Sequence, residues 1–106
     1  MRLLFDQGTP APLRAHLPKH EASTVFELGW ATLSNGDLLI RAEAAGFEAL
    51  VTTDQNLKYQ QNLPLRRVAI AVLMTTSWPR IERHGASVAA AIDALAAGVY
   101  VEIAIP

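Results

Sequence analysis

Three aspartates in this chain stand where an apolar strand ends or a helix begins. Asp6 follows Leu3-Leu4-Phe5, Asp37 comes shortly after Ser34-Asn35, and Asp54 follows Leu50-Val51-Thr52-Thr53. Carboxylates that converge repel, by about 4 kcal/mol for unit charges about 4 Å apart at an effective dielectric of about 20. A proton, a basic side chain or a bound cation must then relieve them. There is no cysteine, and His16, His20 and His84 have no ligand spacing. Hard oxygen donors of this kind point to Mg²⁺ or Mn²⁺. Such a site can activate a water and neutralise a phosphodiester during in-line attack.

Each acid also has a purely structural reading. Asp54 can cap a helix starting at Gln55, and Asp6 can tie its own turn. Asp37 favours a helix amino terminus and can pair with Arg41 at i+4. Glu27 follows a strand and either joins the same rim or is an exposed loop acid. Trp30 and Trp78, each beside a turn, read as lids on the core rather than base-stacking platforms.

The elements that must position these acids are well punctuated. Arg2–Phe5 reads as a buried strand, and Thr9-Pro10 opens a helix, Thr as N-cap, that Pro18 closes. Residues 23–26 read as a second strand, and Ser34-Asn35 caps a helix through Leu38, Leu39 and Ala42 that stops at Gly46. Ala49–Thr52 is a third strand, followed by a polar helix or turn from Gln55 to Leu63. Val68–Met74 reads as a central strand buried on both faces. Val88–Ala97 is helical and stops at Gly98, and Tyr100–Ile105 reads as an edge strand.

The alternation of strand and helix predicts one α/β domain over residues 1–106. Its fold is an open, mostly parallel five-stranded sheet with helices on both faces and right-handed crossovers. Ligands of such sheets sit outside the carboxyl ends of the strands, where the order reverses. In a 2-1-3-4-5 order, Asp6 and Asp54 end neighbouring strands, and the helix carrying Asp37 starts at the same rim.

Composition bounds the function classes. The chain is 51% apolar and 18% charged, as expected of a packed globule. Its net charge of −1 carries no global signature of nucleic-acid binding. Charge is unevenly spread: residues 1–54 hold four Lys/Arg against seven Asp/Glu, and residues 55–106 hold five against three. An acidic site beside a modest basic rim, Lys58, Arg66, Arg67, Arg80 and Arg83, fits this asymmetry. The opening MRLLFDQ is too short an apolar run for a signal peptide, and Val68–Met74 is too short to span a bilayer. No membrane role and a cytoplasmic location are expected. Gly8 and Gly36 are isolated and make no phosphate-cradling loop.

The segments LLFDQGTP (3–10), FELGWATLSNGDLL (26–39) and GFEALVTTDQNLKYQQNL (46–63) resemble, in this order, the motifs of the short PIN-like family of nucleases. The resemblance covers nearly the whole chain. It implies a PIN-like fold, metal-dependent cleavage of RNA with Mg²⁺ or Mn²⁺, and for many members a place in a toxin–antitoxin pair. An antitoxin protein and a homodimer are then expected partners besides RNA. By position, Asp6, Asp37 and Asp54 match the first three acids of the family's metal site. Asn56 stands where the fourth acid usually follows, and Glu27 where short members often carry an acid. Asn56 brings a carbonyl but no charge, which suits one ion better than two. Gln55, Gln60, Gln61 and Asn62 would then contact RNA or water, since amides bind sugar and phosphate without adding charge. Equally, Gln60–Asn62 could tie down the next loop.

Two rivals stand beside the nuclease. One is a catalytically weak PIN-like module that acts by binding a protein or RNA. The other is a phosphoacceptor receiver with Asp54 as acceptor. Receivers pair two adjacent acids after the first strand, whereas Gln7 follows Asp6, and they carry a lysine after the last central strand, where Met74-Thr75-Thr76-Ser77 has none.

Overall fold

A computed structural model describes residues 1–57 and 67–106. Five strands, β1 (Arg2–Phe5), β2 (Glu21–Thr24), β3 (Ala49–Thr52), β4 (Ala69–Leu73) and β5 (Tyr100–Ile103), form one sheet in the order β2-β1-β3-β4-β5. Every pairing is parallel. The expected 2-1-3-4-5 order and helices on both faces are what the fold contains, in one α/β domain.

Strand alternation splits the core into two layers. Leu3, Phe5, Ala49, Val51, Ala69, Ala71 and Leu73 face one side. They meet Leu13 and Leu17 from a 3-10 helix (Ala11–His16) and its end, Ile81 from α3 (Trp78–Arg83), and Val88 and Ile92 from α4 (Gly85–Asp93). Leu4, Leu50, Ile70 and Val72 face the other side. There they meet Val25 from α1 (Val25–Leu28) and Leu38, Leu39 and Ala42 from α2 (Asn35–Ala44). Burial on both faces makes β3 and β4 uninterrupted runs of small, aliphatic and hydroxyl side chains rather than alternating ones.

Local signals explain where elements differ from expectation. The second strand ends at Thr24, not Phe26. Thr24 caps α1 through Glu27 N–H, and the Glu27 carboxylate returns to Thr24 N–H, a complete capping box. Thr9 is not a helix cap: Pro10 holds that position, and the Thr9 hydroxyl donates to Val51 O at 2.8 Å. Helix α4 ends at Asp93, short of Ala97, and Gly98 turns the chain at a positive φ of 74°. The expected polar helix from Gln55 to Leu63 lies outside the described residues beyond Leu57. Among the described residues, no helix is long and apolar enough to cross a membrane.

Candidate functional site

Parallel pairing of β1 with β3 matches Phe5 to Val51, so the residues just beyond them leave the sheet side by side. Asp6 N–H donates to Val51 O at 2.9 Å, extending the ladder one step past Phe5. The turn after β1 is held down by Thr9, whose N–H donates to Asp6 O at 3.0 Å. Gly8 in that turn lies against Thr53, where a Cβ would stand 2.2 Å from Thr53 Oγ1. Two loops carrying acids are thereby packed together at the carboxyl ends of the central strands.

Thr52 joins them. It is fully buried. Its hydroxyl donates to Asp6 Oδ2 at 2.8 Å and accepts the Asp54 N–H at 3.1 Å. The other Asp6 oxygen accepts Gln7 N–H at 2.7 Å. Asp54 Oδ1 accepts Asn56 N–H at 3.0 Å, closing an Asx turn, and its Oδ2 faces Asn35 Nδ2 at 3.4 Å. Among the described residues, the donors on both carboxylates are all neutral.

Asp37 does not join this pair. It lies in the first turn of α2, where its N–H donates to Ser34 Oγ at 3.3 Å, and its side chain is exposed. It forms no ion pair with Arg41, contrary to its structural reading. Among the described residues, no three His, Asp or Glu side chains gather closely enough to share one metal ion. Asn56 presents its backbone to Asp54, and its side chain is exposed.

Glu27 serves α1 rather than the rim. It accepts Thr24 N–H at 2.8 Å and pairs with Arg14 at 2.9 Å. The Thr24 backbone bond, helped by the Thr24 hydroxyl and Arg14, holds its carboxyl below the ordinary glutamate range. The expected basic rim is only partly where it was sought. Arg67 precedes β4 and so lies at the amino ends of the strands, opposite the acids, beside a cavity of about 490 Å³ lined by Phe47, Glu48 and Ala69. Arg80 donates to Ile105 O at 2.8 Å and Pro106 O at 3.3 Å, tying down the segment after β5. Arg83 is exposed at the end of α3. Lys58, Arg66, Gln60, Gln61 and Asn62 lie outside the described residues.

The remaining singled-out side chains have packing roles. Trp30 meets Phe47 edge-on at 6.0 Å, and Trp78 meets His16 at 5.9 Å, each leaning on one core layer. His20 contacts Asp93 at 2.6 Å, and this bond, with Lys19 nearby, keeps the Asp93 carboxyl below its ordinary range.

Two residues of the rim were not singled out for chemistry in the sequence, Thr52 and Asn35. A buried threonine one step from the end of an apolar strand, two before an acid, was the available signal for the first. The second was hidden by its plausible role as a helix cap. No family model, curated protein or solved structure matches the chain.

The donor chemistry bears on whether a divalent ion suits the rim. Among the described residues, each carboxylate oxygen of Asp6 and Asp54 accepts one hydrogen bond, which leaves it a second lone pair. The set is all oxygen, and the Thr52 hydroxyl links the Asp6 carboxylate to the Asp54 backbone N–H. Mg²⁺ and Mn²⁺ accept one or two carboxylates and keep several waters, so the donor types of the pair suit such an ion.

Proposed function

We propose that this domain is a PIN-like nuclease that uses Mg²⁺ or Mn²⁺ to hydrolyse RNA phosphodiester bonds, with Asp6 and Asp54 as the carboxylates that would hold the ion. The observation that carries this reading is the Thr52 bridge, which ties both acids to the carboxyl ends of adjacent central strands. That edge is where ligands of open α/β sheets bind. When bound, the ion would supply Lewis-acid stabilisation of the scissile phosphate and lower the pKa of an attacking water.

The chain's own residues have separate tasks in this reading. Asp6 and Asp54 supply charge, and neutral donors hold each in one orientation. Gln7 and Gln55 are exposed at the same edge and can hydrogen-bond to sugar and phosphate without adding charge. The RNA-cleaving toxin of a toxin–antitoxin pair, with an antitoxin partner, is the biological setting that the family resemblance suggests.

A second reading has its own observation. With Asn56 uncharged and Asp37 outside the pair, the rim holds two carboxylates, which favours a weak catalyst that acts by binding a protein or RNA. Calorimetry with Mn²⁺ on the wild type and the Asp6→Asn/Asp54→Asn double variant separates the two, followed by an RNA cleavage assay. About one ion bound by wild type only, with metal-dependent cleavage, supports the nuclease. Ion binding without cleavage supports the binding module, and no ion binding removes the metal reading.

A further inference from the structure

Helix α2 reaches the acid pair through an amide. Asn35 is the first residue of α2 and is half-buried, with Nδ2 3.4 Å from Asp54 Oδ2. Asp37 is two residues further on. At about 100° per residue, positions i and i+2 of a helix point about 200° apart and do not face a common neighbour. While α2 presents Asn35 to Asp54, it must turn Asp37 away. The exposure of Asp37 agrees with this, as does the lack of any three-acid group among the described residues.

From this geometry we infer that Asn35, and not Asp37, is the residue through which α2 serves the site. Asn35 acts as a positioning residue. Its amide fixes the Asp54 oxygen that the Asx turn leaves open, since Oδ1 is taken by Asn56 N–H and Oδ2 faces Asn35. A carboxylate held at both oxygens keeps one rotamer, and one N–H and the carbonyl of Asn35 remain for substrate or water. Asp37 is left with a structural task, its charge lying in the first turn of α2 and favouring the helix dipole. The inference rests on the metal reading for its functional meaning but not for its geometry.

Two measurements on the full chain test it. The first is Mn²⁺ affinity by calorimetry for wild type, Asn35→Ala and Asp37→Asn, each checked for folding by thermal melting. Asn35→Ala is expected to weaken binding by about tenfold or more, the scale of one hydrogen bond to a charged group. Asp37→Asn should stay within about twofold, as an exposed charge screened by solvent does. Loss of binding in Asp37→Asn with Asn35→Ala unchanged would overturn the inference. The second measurement needs no metal: the side-chain amide resonances of Asn35 in a ¹H–¹⁵N spectrum. They should move in Asp54→Asn and stay in place in Asp37→Asn, and the reverse would overturn the contact. If wild type binds no Mn²⁺, the nuclease reading fails while these spectra still decide the role of Asn35.

Discussion

Gly8 and Thr53 approach so closely that a side chain on the first would collide with the hydroxyl of the second, at 2.2 Å from the built Cβ. The contact packs the turn after β1 onto the segment leading to Asp54. Gly8→Ala should therefore force Thr53 into another rotamer, at a cost of about 1–3 kcal/mol by analogy with overpacked sites. Chemical denaturation measures this. An unchanged midpoint would show that Thr53 swings away freely and that the two loops are not clamped.

Thr52 offers a cleaner separation of shape from chemistry. Thr52→Val keeps the branched outline but removes the hydroxyl, leaving the Asp54 N–H without its acceptor. A loss of about 1–3 kcal/mol follows. Thr52→Ser keeps the hydroxyl and loses a methyl group, for about 1 kcal/mol. Mn²⁺ binding should fall in the valine variant and persist in the serine variant. Equal binding in both would show that the hydroxyl is only packing.

The Glu27 capping network predicts a pH dependence of defined sign. Its folded-state pKa lies below the unfolded one, so the network adds stability above the ordinary glutamate range, about 4.3. That contribution fades as pH falls through the folded-state value. Glu27→Gln should therefore melt below wild type at pH 7, with the gap closing towards pH 3. A gap that stays constant would assign the effect to the shape of the side chain rather than to its charge.

Ligand linkage provides a test that requires no substrate. An ion bound only by the folded chain stabilises it by about 2.7 kcal/mol at a hundred times its dissociation constant. Wild type should melt higher with Mn²⁺ and return on chelation, and Asp6→Asn/Asp54→Asn should show neither change. A matching shift in the double variant would move ion binding away from these acids.

Core packing sets the scale for the whole molecule. Leu50 is fully buried between its neighbours in β1 and β4, on the face covered by α2. Leu50→Ala should cost about 2–5 kcal/mol in equilibrium unfolding. A cost under about 1 kcal/mol would mean that α2 settles into the space left behind.

Much of this molecule could be read from its sequence because the decisive signals are short-range. Buried runs such as Ala69–Leu73 mark central parallel strands, and alternating helices leave few topologies open. What escaped was competition between local signals. Thr24-Val25-Phe26-Glu27 continues an apolar strand pattern and spells a capping box at once, and the box prevailed because it satisfies two amide groups at the start of α1. Thr9 looked like a helix cap, yet its partner, Val51 O, is far away in sequence. Asp37 looked like the acid α2 would contribute, whereas rotation about the helix axis decides which side chain faces Asp54, and composition does not encode that angle. The same limit hid the Thr52 bridge, whose two partners lie on different strands' exits.

The placement of β1 has a consequence for how the chain comes into being. This strand pairs with β2 on one side and with β3 on the other, and Asp6 meets Thr52 across 46 positions of sequence. A chain emerging from the ribosome can join β1 to β2 before β3 exists. Such an intermediate holds Asp6 with no companion acid. Docking of β3 beside β1 brings the second acid to the first, and long-range pairings of this kind form slowly. The pair therefore cannot form before β3 docks beside β1, and its appearance reports that long-range pairing.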